Sequence, residues 1–290
     1  MTGSLWDLKR KAGYLDGLIN FSSSNFSTVK NKIVLIAVLI ISNSVFSQTV
    51  TLKQIGKNNM LFNKFAYHYR GNLYTIDINL ALYKTSLDSG NTSRIGKVTF
   101  KNAKFFFIVN NMVYIIERDG SMTQVDPVTG NWTVVSRITS WSRIDWAFAV
   151  NNTFYTVQNG ALFRQSLVDP DKRTQVGGND FFSLGYIFLT ERSFHTLYKD
   201  GTLYEINTTT GEWKKLFKNK SIKNLMEGFV WNNKFYTAED PGGLFEHDLS
   251  SGERKSLSAP QFSNVVYMFV DSGKLYALFK DGNLYEVTIN

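Results

Sequence analysis

The sequence predicts an all-β fold, a six-bladed β-propeller of four-stranded blades. An aromatic-centred step recurs at Tyr74, Tyr114, Tyr155, His195, Tyr236 and Tyr276, at intervals of 40 or 41 residues. A companion series keeps pace with it: Leu82-Tyr83, Met122-Thr123, Leu162-Phe163, Leu203-Tyr204, Leu244-Phe245 and Leu284-Tyr285. A fixed period near 40 holding several short strands is how a propeller reads, because each unit is a sheet that must bury its faces on its neighbours. Composition agrees: 15% of residues are aromatic, with 23 Phe and 14 Tyr against 4 Pro, a mix that fills pleated, half-buried surfaces.

The second unit shows how a blade is written. Lys104–Val109 is an apolar run of strand length, broken by Asn110-Asn111, a pair that tolerates the positive φ of a primed hairpin turn. Met112–Ile116 follows and closes on Asp119-Gly120, a strong hairpin signal. Ser121–Asp126 is the third strand, Pro127–Gly130 turns the chain, and Asn131–Val135 is the outermost strand. The other units follow suit, with first turns at Arg70-Gly71, Asn151-Asn152, Glu191-Arg192, Asn232-Asn233 and Ser272-Gly273. Second turns stand at Asn159-Gly160, Asp200-Gly201, Gly242-Gly243 and Asp281-Gly282; the first unit has Asn79-Leu80 there, a weaker turn.

The sixth unit stops at Asn290 after three strands, while residues 49–55 form a strand with no unit of their own. Pairing 49–55 with roughly 283–289 completes the last blade and removes an aggregation-prone edge. Seven residues before each repeat aromatic stand Tyr67, Phe107, Phe148, Phe188, Phe229 and Phe269, which predicts ring packing between adjacent blades.

The start of the chain differs in composition. Lys30-Asn31-Lys32, the apolar run Ile33–Ile41 and the small residues before Gln48 read as a secretory signal peptide over 29–47, cut near Ser47. Nine apolar residues are too few to span a bilayer, which takes about 20. Residues 1–28 read as a non-native upstream extension, with translation beginning at Val29, and 48–290 as the propeller. The product is then exported, periplasmic or secreted, with no stable membrane span in the mature chain.

Residues 1–47 hold five of the 32 basic and two of the 24 acidic residues, so the mature chain has 27 and 22 and a net charge of +5. The excess is spread along the repeats, without the clustered stripe that nucleic-acid binding needs. No cysteine is present, which excludes disulfides, thiol catalysis and cysteine-ligated metal.

Function is sought where the repeat breaks. Nine residues before each repeat aromatic the chain has Phe65, Phe105, Trp146, Tyr186, Glu227 and Tyr267. A carboxylate among rings beside a channel is a sugar or cation site in principle. The plainer alternative is that Glu227 is solvated at the channel mouth or paired with a lysine. Asp145, beside Trp146, is the other nearby acid, and Glu239 and Asp240 are candidates by position only. The histidines share no slot: His195 takes the tyrosine position as a strand residue, and His68 and His247 read as surface positions. No H-x-x-x-H pair, metal-ligand spacing or G-x-S-x-G elbow occurs, so no catalytic set, metal site or cofactor is expected.

The segments Leu73-Tyr74-Thr75-Ile76-Asp77, Phe154-Tyr155-Thr156-Val157 and Phe235-Tyr236-Thr237-Ala238, with the strand-turn-strand stretches 125–132 and 206–213, resemble the six-bladed propeller superfamily that includes YWTD, NHL and gluconolactonase-like proteins. The resemblance covers 49–290 and rests on generic propeller features. Gluconolactonase-like enzymes bind a divalent metal in the channel through Glu, Asn and Asp, which would make the chain a metal-dependent lactonase or related hydrolase using Glu227 and Asp145. The leading expectation is a monomeric, exported binding module for a protein or glycan, with Glu227, Trp146, Tyr186, Tyr267 and Asp145 as its binding residues.

Overall fold

The computed structural model describes residues 49–290 apart from 57–61, 137–138, 151, 168–171, 183, 191–192 and 223. The expected leader and upstream extension lie outside the described residues, as do the Glu191-Arg192 turn and Asn151. Strand β1 (Val50–Gln54) comes first and belongs to the last blade. Blade 1 is β2 (Phe62–Tyr69), β3 (Asn72–Asp77), β4 (Ala81–Ser86) and β5 (Thr92–Thr99). Blade 2 is β6 (Ala103–Val109), β7 (Met112–Glu117), β8 (Met122–Val125) and β9 (Trp132–Ser136). A short 3₁₀ turn, Thr139–Arg143, leads to blade 3: β10 (Trp146–Val150), β11 (Thr153–Gln158), β12 (Ala161–Gln165) and β13 (Arg173–Val176). Blade 4 is β14 (Leu184–Leu189), β15 (Phe194–Tyr198), β16 (Thr202–Ile206) and β17 (Trp213–Lys218). Blade 5 is β18 (Leu225–Trp231), β19 (Lys234–Glu239), β20 (Gly243–Asp248) and β21 (Arg254–Ser256). Blade 6 is β22 (Val265–Asp271), β23 (Lys274–Phe279) and β24 (Leu284–Ile289), completed by β1.

Each blade is a four-stranded antiparallel meander, and β1 lies on β24 with Val50 opposite Ile289 and Gln54 opposite Tyr285. The ladder extends at both ends, Ile55 N–H donating to Leu284 O at 2.8 Å and Asn290 N–H to Thr49 O at 3.1 Å. The chain is a six-bladed β-propeller. Among the described residues no helix is long and apolar enough to cross a membrane.

The repeat aromatics pair across the first hairpin of each blade with the aromatics seven residues earlier: Phe107 opposite Tyr114, Phe148 opposite Tyr155, Phe229 opposite Tyr236. The earlier ring then reaches the next blade. Phe107 stacks on Phe154 with centroids 4.3 Å apart, Phe148 meets Phe194 at 5.0 Å and Phe188 meets Phe235 at 4.9 Å. Blade 6 closes on blade 1 the same way, Phe269 stacking on His68 at 4.6 Å. Such contacts add about 1 kcal/mol each beyond the area they bury.

The first hairpin turns hold positive φ at Arg70, Asn110, Asn111, Asn232, Asn233 and Ser272, a conformation that Asn tolerates better than Arg or Ser. The odd second turn of blade 1 puts Leu80 at φ 64°, where a Cβ costs roughly 1–2 kcal/mol. Asp77 offsets that cost. Its buried carboxylate accepts from Ala81 N–H at 2.9 Å and from Asn79 Nδ2 at 3.3 Å, clasping the turn from inside.

Glycines also latch blades at the rim. Gly96, in the outer strand of blade 1, packs on Gly130, in the third turn of blade 2, and Gly56–Gly90 and Gly177–Gly211 repeat the contact. A Cβ on Gly130 would stand 2.5 Å from Gly96 Cα, and Gly130 has φ 72°. Gly130→Ala is therefore expected to lower stability by about 2 kcal/mol and the melting temperature by roughly 6 °C. An unchanged thermal unfolding curve would show that the two blades do not depend on this approach.

Candidate functional site

The innermost strands β2, β6, β10, β14, β18 and β22 surround a central cavity of about 920 Å³. In five of the six, the register slips just before the position nine residues ahead of the repeat aromatic, at Phe65, Phe105, Tyr186, Glu227 and Tyr267. A bulge bends its strand and re-aims the side chain that follows. The slot picked out by the repeat is thus where the sheet turns residues away from its regular pleat, a feature that spacing alone did not reveal.

Three of the five expected binding residues line the cavity: Trp146, Glu227 and Tyr267. Glu227 is partly accessible, and the cavity is its access. Its Oε1 accepts a 3.1 Å hydrogen bond from the neighbouring Gly228 N–H. Burial among apolar walls pushes its carboxyl up to about 8, against a small downward pull from that amide. Glu227 is thus mainly neutral at pH 7. It is the one carboxylic acid among the lining residues, and no lysine pairs with it among the described ion pairs.

Tyr267 extends the site to blade 1. Its hydroxyl and His68 Nδ1 share a 2.9 Å hydrogen bond, the donor being set by the imidazole tautomer. Burial, opposed by Asp271, lowers His68 to about 4, so the ring is neutral. Burial raises Tyr267, and the nearby Tyr67 and Glu227 push it the same way. Tyr67 donates its hydroxyl proton to Ala149 O at 3.1 Å, tying blade 1 to blade 3.

Tyr186 and Asp145 stand elsewhere. Tyr186 is 38% exposed and donates to Leu225 O at 2.8 Å, bridging blades 4 and 5 outside the cavity lining. Asp145 is exposed, its amide donates to Val157 O, and its charge acts on Lys104. Lys104 Nζ in turn donates to Ser142 O and Ile144 O at 2.8 and 2.6 Å. Glu227 and Asp145 therefore do not converge on the cavity.

Two histidines correct the surface reading. His247 is fully buried, and His68 faces blade 6 in the cavity wall. His247 occupies a third-strand slot filled in other blades by Thr85, Val125, Gln165, Ile206 and Val287, all buried. His68 stands where the others have Ile108, Ala149, Leu189, Val230 and Val270. Aligning these slots would have revealed both. In blade 5, Thr237 Oγ1 donates to Glu239 Oε1 at 2.7 Å, which leaves His247 Nε2–H to donate to Thr237 Oγ1 at 2.9 Å. Glu239 Oε2 accepts from Arg254 at 2.9 Å, so this buried positional candidate is held in an ion pair with a half-buried arginine. Asp240 is exposed. No group of three or more potential ligands that could hold a metal occurs among the described residues.

No protein-family model matches the chain, and no curated protein matches it. Solved structures do. The virginiamycin B lyase of Staphylococcus aureus superposes with a TM-score of 0.52 at 9% identity, over 84% of this chain and 100% of that one. PorZ of Porphyromonas gingivalis, described as a bacterial surface component of the type-IX secretion system, gives a TM-score of 0.50 at 11% identity. That match covers 83% of this chain but only 39% of PorZ. BamB of Moraxella catarrhalis is 16% identical, with a TM-score of 0.43 over 77% and 68% of the two chains. The kinship is one of fold.

Proposed function

We propose that this protein is an exported binding module, and that the central cavity receives part of a protein or glycan partner. The observation that carries the reading is the lining itself: aromatic rings and a single, mostly neutral carboxyl in a cavity of about 920 Å³, within the size range of ligand sites. A hydrolase of the metal-dependent kind needs two or three acids converging on the channel axis. Glu227 is alone there, so the lactonase reading gains nothing from the geometry. Propellers host many chemistries, and the lyase and the secretion component that share the fold illustrate that the site, and not the fold, must decide. Export is supported by the basic and apolar leader pattern before Gln48.

The test is capture of partners on immobilised protein, together with a glycan array, for wild type, Glu227→Ala and Trp146→Ala. Each substitution is expected to weaken binding at least tenfold, about 1.4 kcal/mol. Full retention by both variants would remove the cavity as the binding site.

A further inference from the structure

The carboxyl of Glu227 faces the cavity without a counter-ion among the described residues. The other buried acids are matched internally: Glu239 by Arg254 and Thr237, Asp77 by the Ala81 amide and Asn79. Among the described residues Glu227 accepts only from the amide beside it, and no Lys, Arg or His reaches it in the described ion pairs. The one guanidinium in the lining, Arg70, is engaged at the mouth, donating to Asn111 Oδ1 at 2.9 Å and standing 5.1 Å from the Tyr69 ring. A carboxyl in an apolar wall stays neutral until a cation meets it, and ring faces attract the same cations. Tyr67, Trp146 and Tyr267 supply the rings.

Resting on the binding-module reading, we infer that the cavity takes one guanidinium or ammonium group, an arginine or lysine side chain of a protein partner, with Glu227 as its counter-ion and the rings of Tyr67, Trp146 and Tyr267 as its walls. The proton of Glu227 leaves to solvent as the cation enters, and the cation keeps its charge. Binding therefore strengthens with pH. The groups facing Glu227 hold steady meanwhile. Tyr67 and Tyr267 are raised by burial, His68 is neutral above about 4, and Arg70 stays charged. Asp271, on β22, acts on His68.

The experiment is calorimetric titration with N-acetyl-arginine methylamide, its neutral analogue N-acetyl-citrulline methylamide, and a neutral disaccharide, on wild type and Glu227→Gln at pH 6 and pH 9. Wild type is expected to prefer the arginine probe at least tenfold over citrulline and to bind it up to roughly a hundredfold tighter at pH 9 than at pH 6. Glu227→Gln, checked by its melting curve to be folded, should lose both the preference and the pH dependence. Equal binding of the two probes, a preference that survives Glu227→Gln, or binding of the disaccharide alone would each overturn the inference, as would no heat from any probe. A partner captured by wild type and Glu227→Gln alike but lost with Trp146→Ala would leave the binding module standing and remove the cation.

Discussion

A chain lacking residues 49–55 is expected to melt at least 10 °C below the otherwise identical protein. Those residues supply the fourth strand of blade 6, five paired positions from Val50 to Gln54, with Ile55 donating to Leu284 O at 2.8 Å. Val50 and Leu52 pack on the blade 5–6 cluster, and Ile55 is buried on the blade 6–1 cluster. Partial burial of three aliphatic side chains at about 1–2 kcal/mol each, with the lost ladder, comes to roughly 5 kcal/mol. For a domain of this size that is on the order of 10–20 °C. The truncated protein should also associate, because β24 becomes an open edge. Scanning calorimetry and light scattering read both effects. An equal melting temperature for a monomeric truncation would mean that the ring is held shut by something other than β1.

The second large effect is on pH. Glu227 titrates near 8 when folded, against an ordinary value of 4.5. Between those values the folded chain keeps a proton that the unfolded chain has released, so stability falls as pH rises through that window, by up to about 5 kcal/mol. His68, His195 and His247 behave oppositely. Burial depresses each to about 4 from 6.5, so the unfolded chain takes up protons first and stability is lost as pH falls through that interval. Each contributes on the order of 3 kcal/mol before solvent screening. The melting temperature is therefore expected to peak near pH 6.5 and to decline on both sides. Glu227→Gln should flatten the alkaline limb, raising the melting temperature at pH 9 by roughly 10–20 °C, and steepen the acid limb above pH 4.5, where Glu227 no longer opposes the histidines. An alkaline limb of the same slope in wild type and variant would show that Glu227 is not the group responsible.

The architecture was legible because its signals are local and repeated. Asn or Gly stands at most of the turn positions with positive φ, Arg70, Leu80 and Ser272 being the exceptions, and the aromatic spacing fixes which strand faces the next blade. The closing strand was legible for a different reason, since a blade one strand short and a strand without a blade admit one economical pairing. The candidate site was legible only as a break in the pattern. Glu227 showed because a charge interrupted a run of rings. His68 and His247 did not, because a histidine looks polar on its own, and only comparison with Ile108 or Ile206 in the same slots reveals the buried environment. Asp145 failed for the opposite reason. Its neighbour Trp146 opens β10 and lines the cavity, but Asp145 lies in the bend before the strand begins, exposed and beside Lys104, so adjacency in sequence predicted nothing about Asp145. The inner-strand bulges leave no mark in residue type, and two of them fall at cavity-lining residues, Glu227 and Tyr267.

The pairing of Val50 with Ile289 joins residues 239 positions apart. The ribosome delivers the domain from its first strand onward, so β1 emerges with no partner and waits until the whole of blade 6 has followed. Five blades can form hairpin by hairpin from short-range contacts, whereas the last step is a search between distant segments and sets the pace of folding. In the interval β1 and β24 are unpaired strands with free edges, the species most open to misassembly. A domain built this way is most vulnerable in the interval between the emergence of β1 and the completion of blade 6.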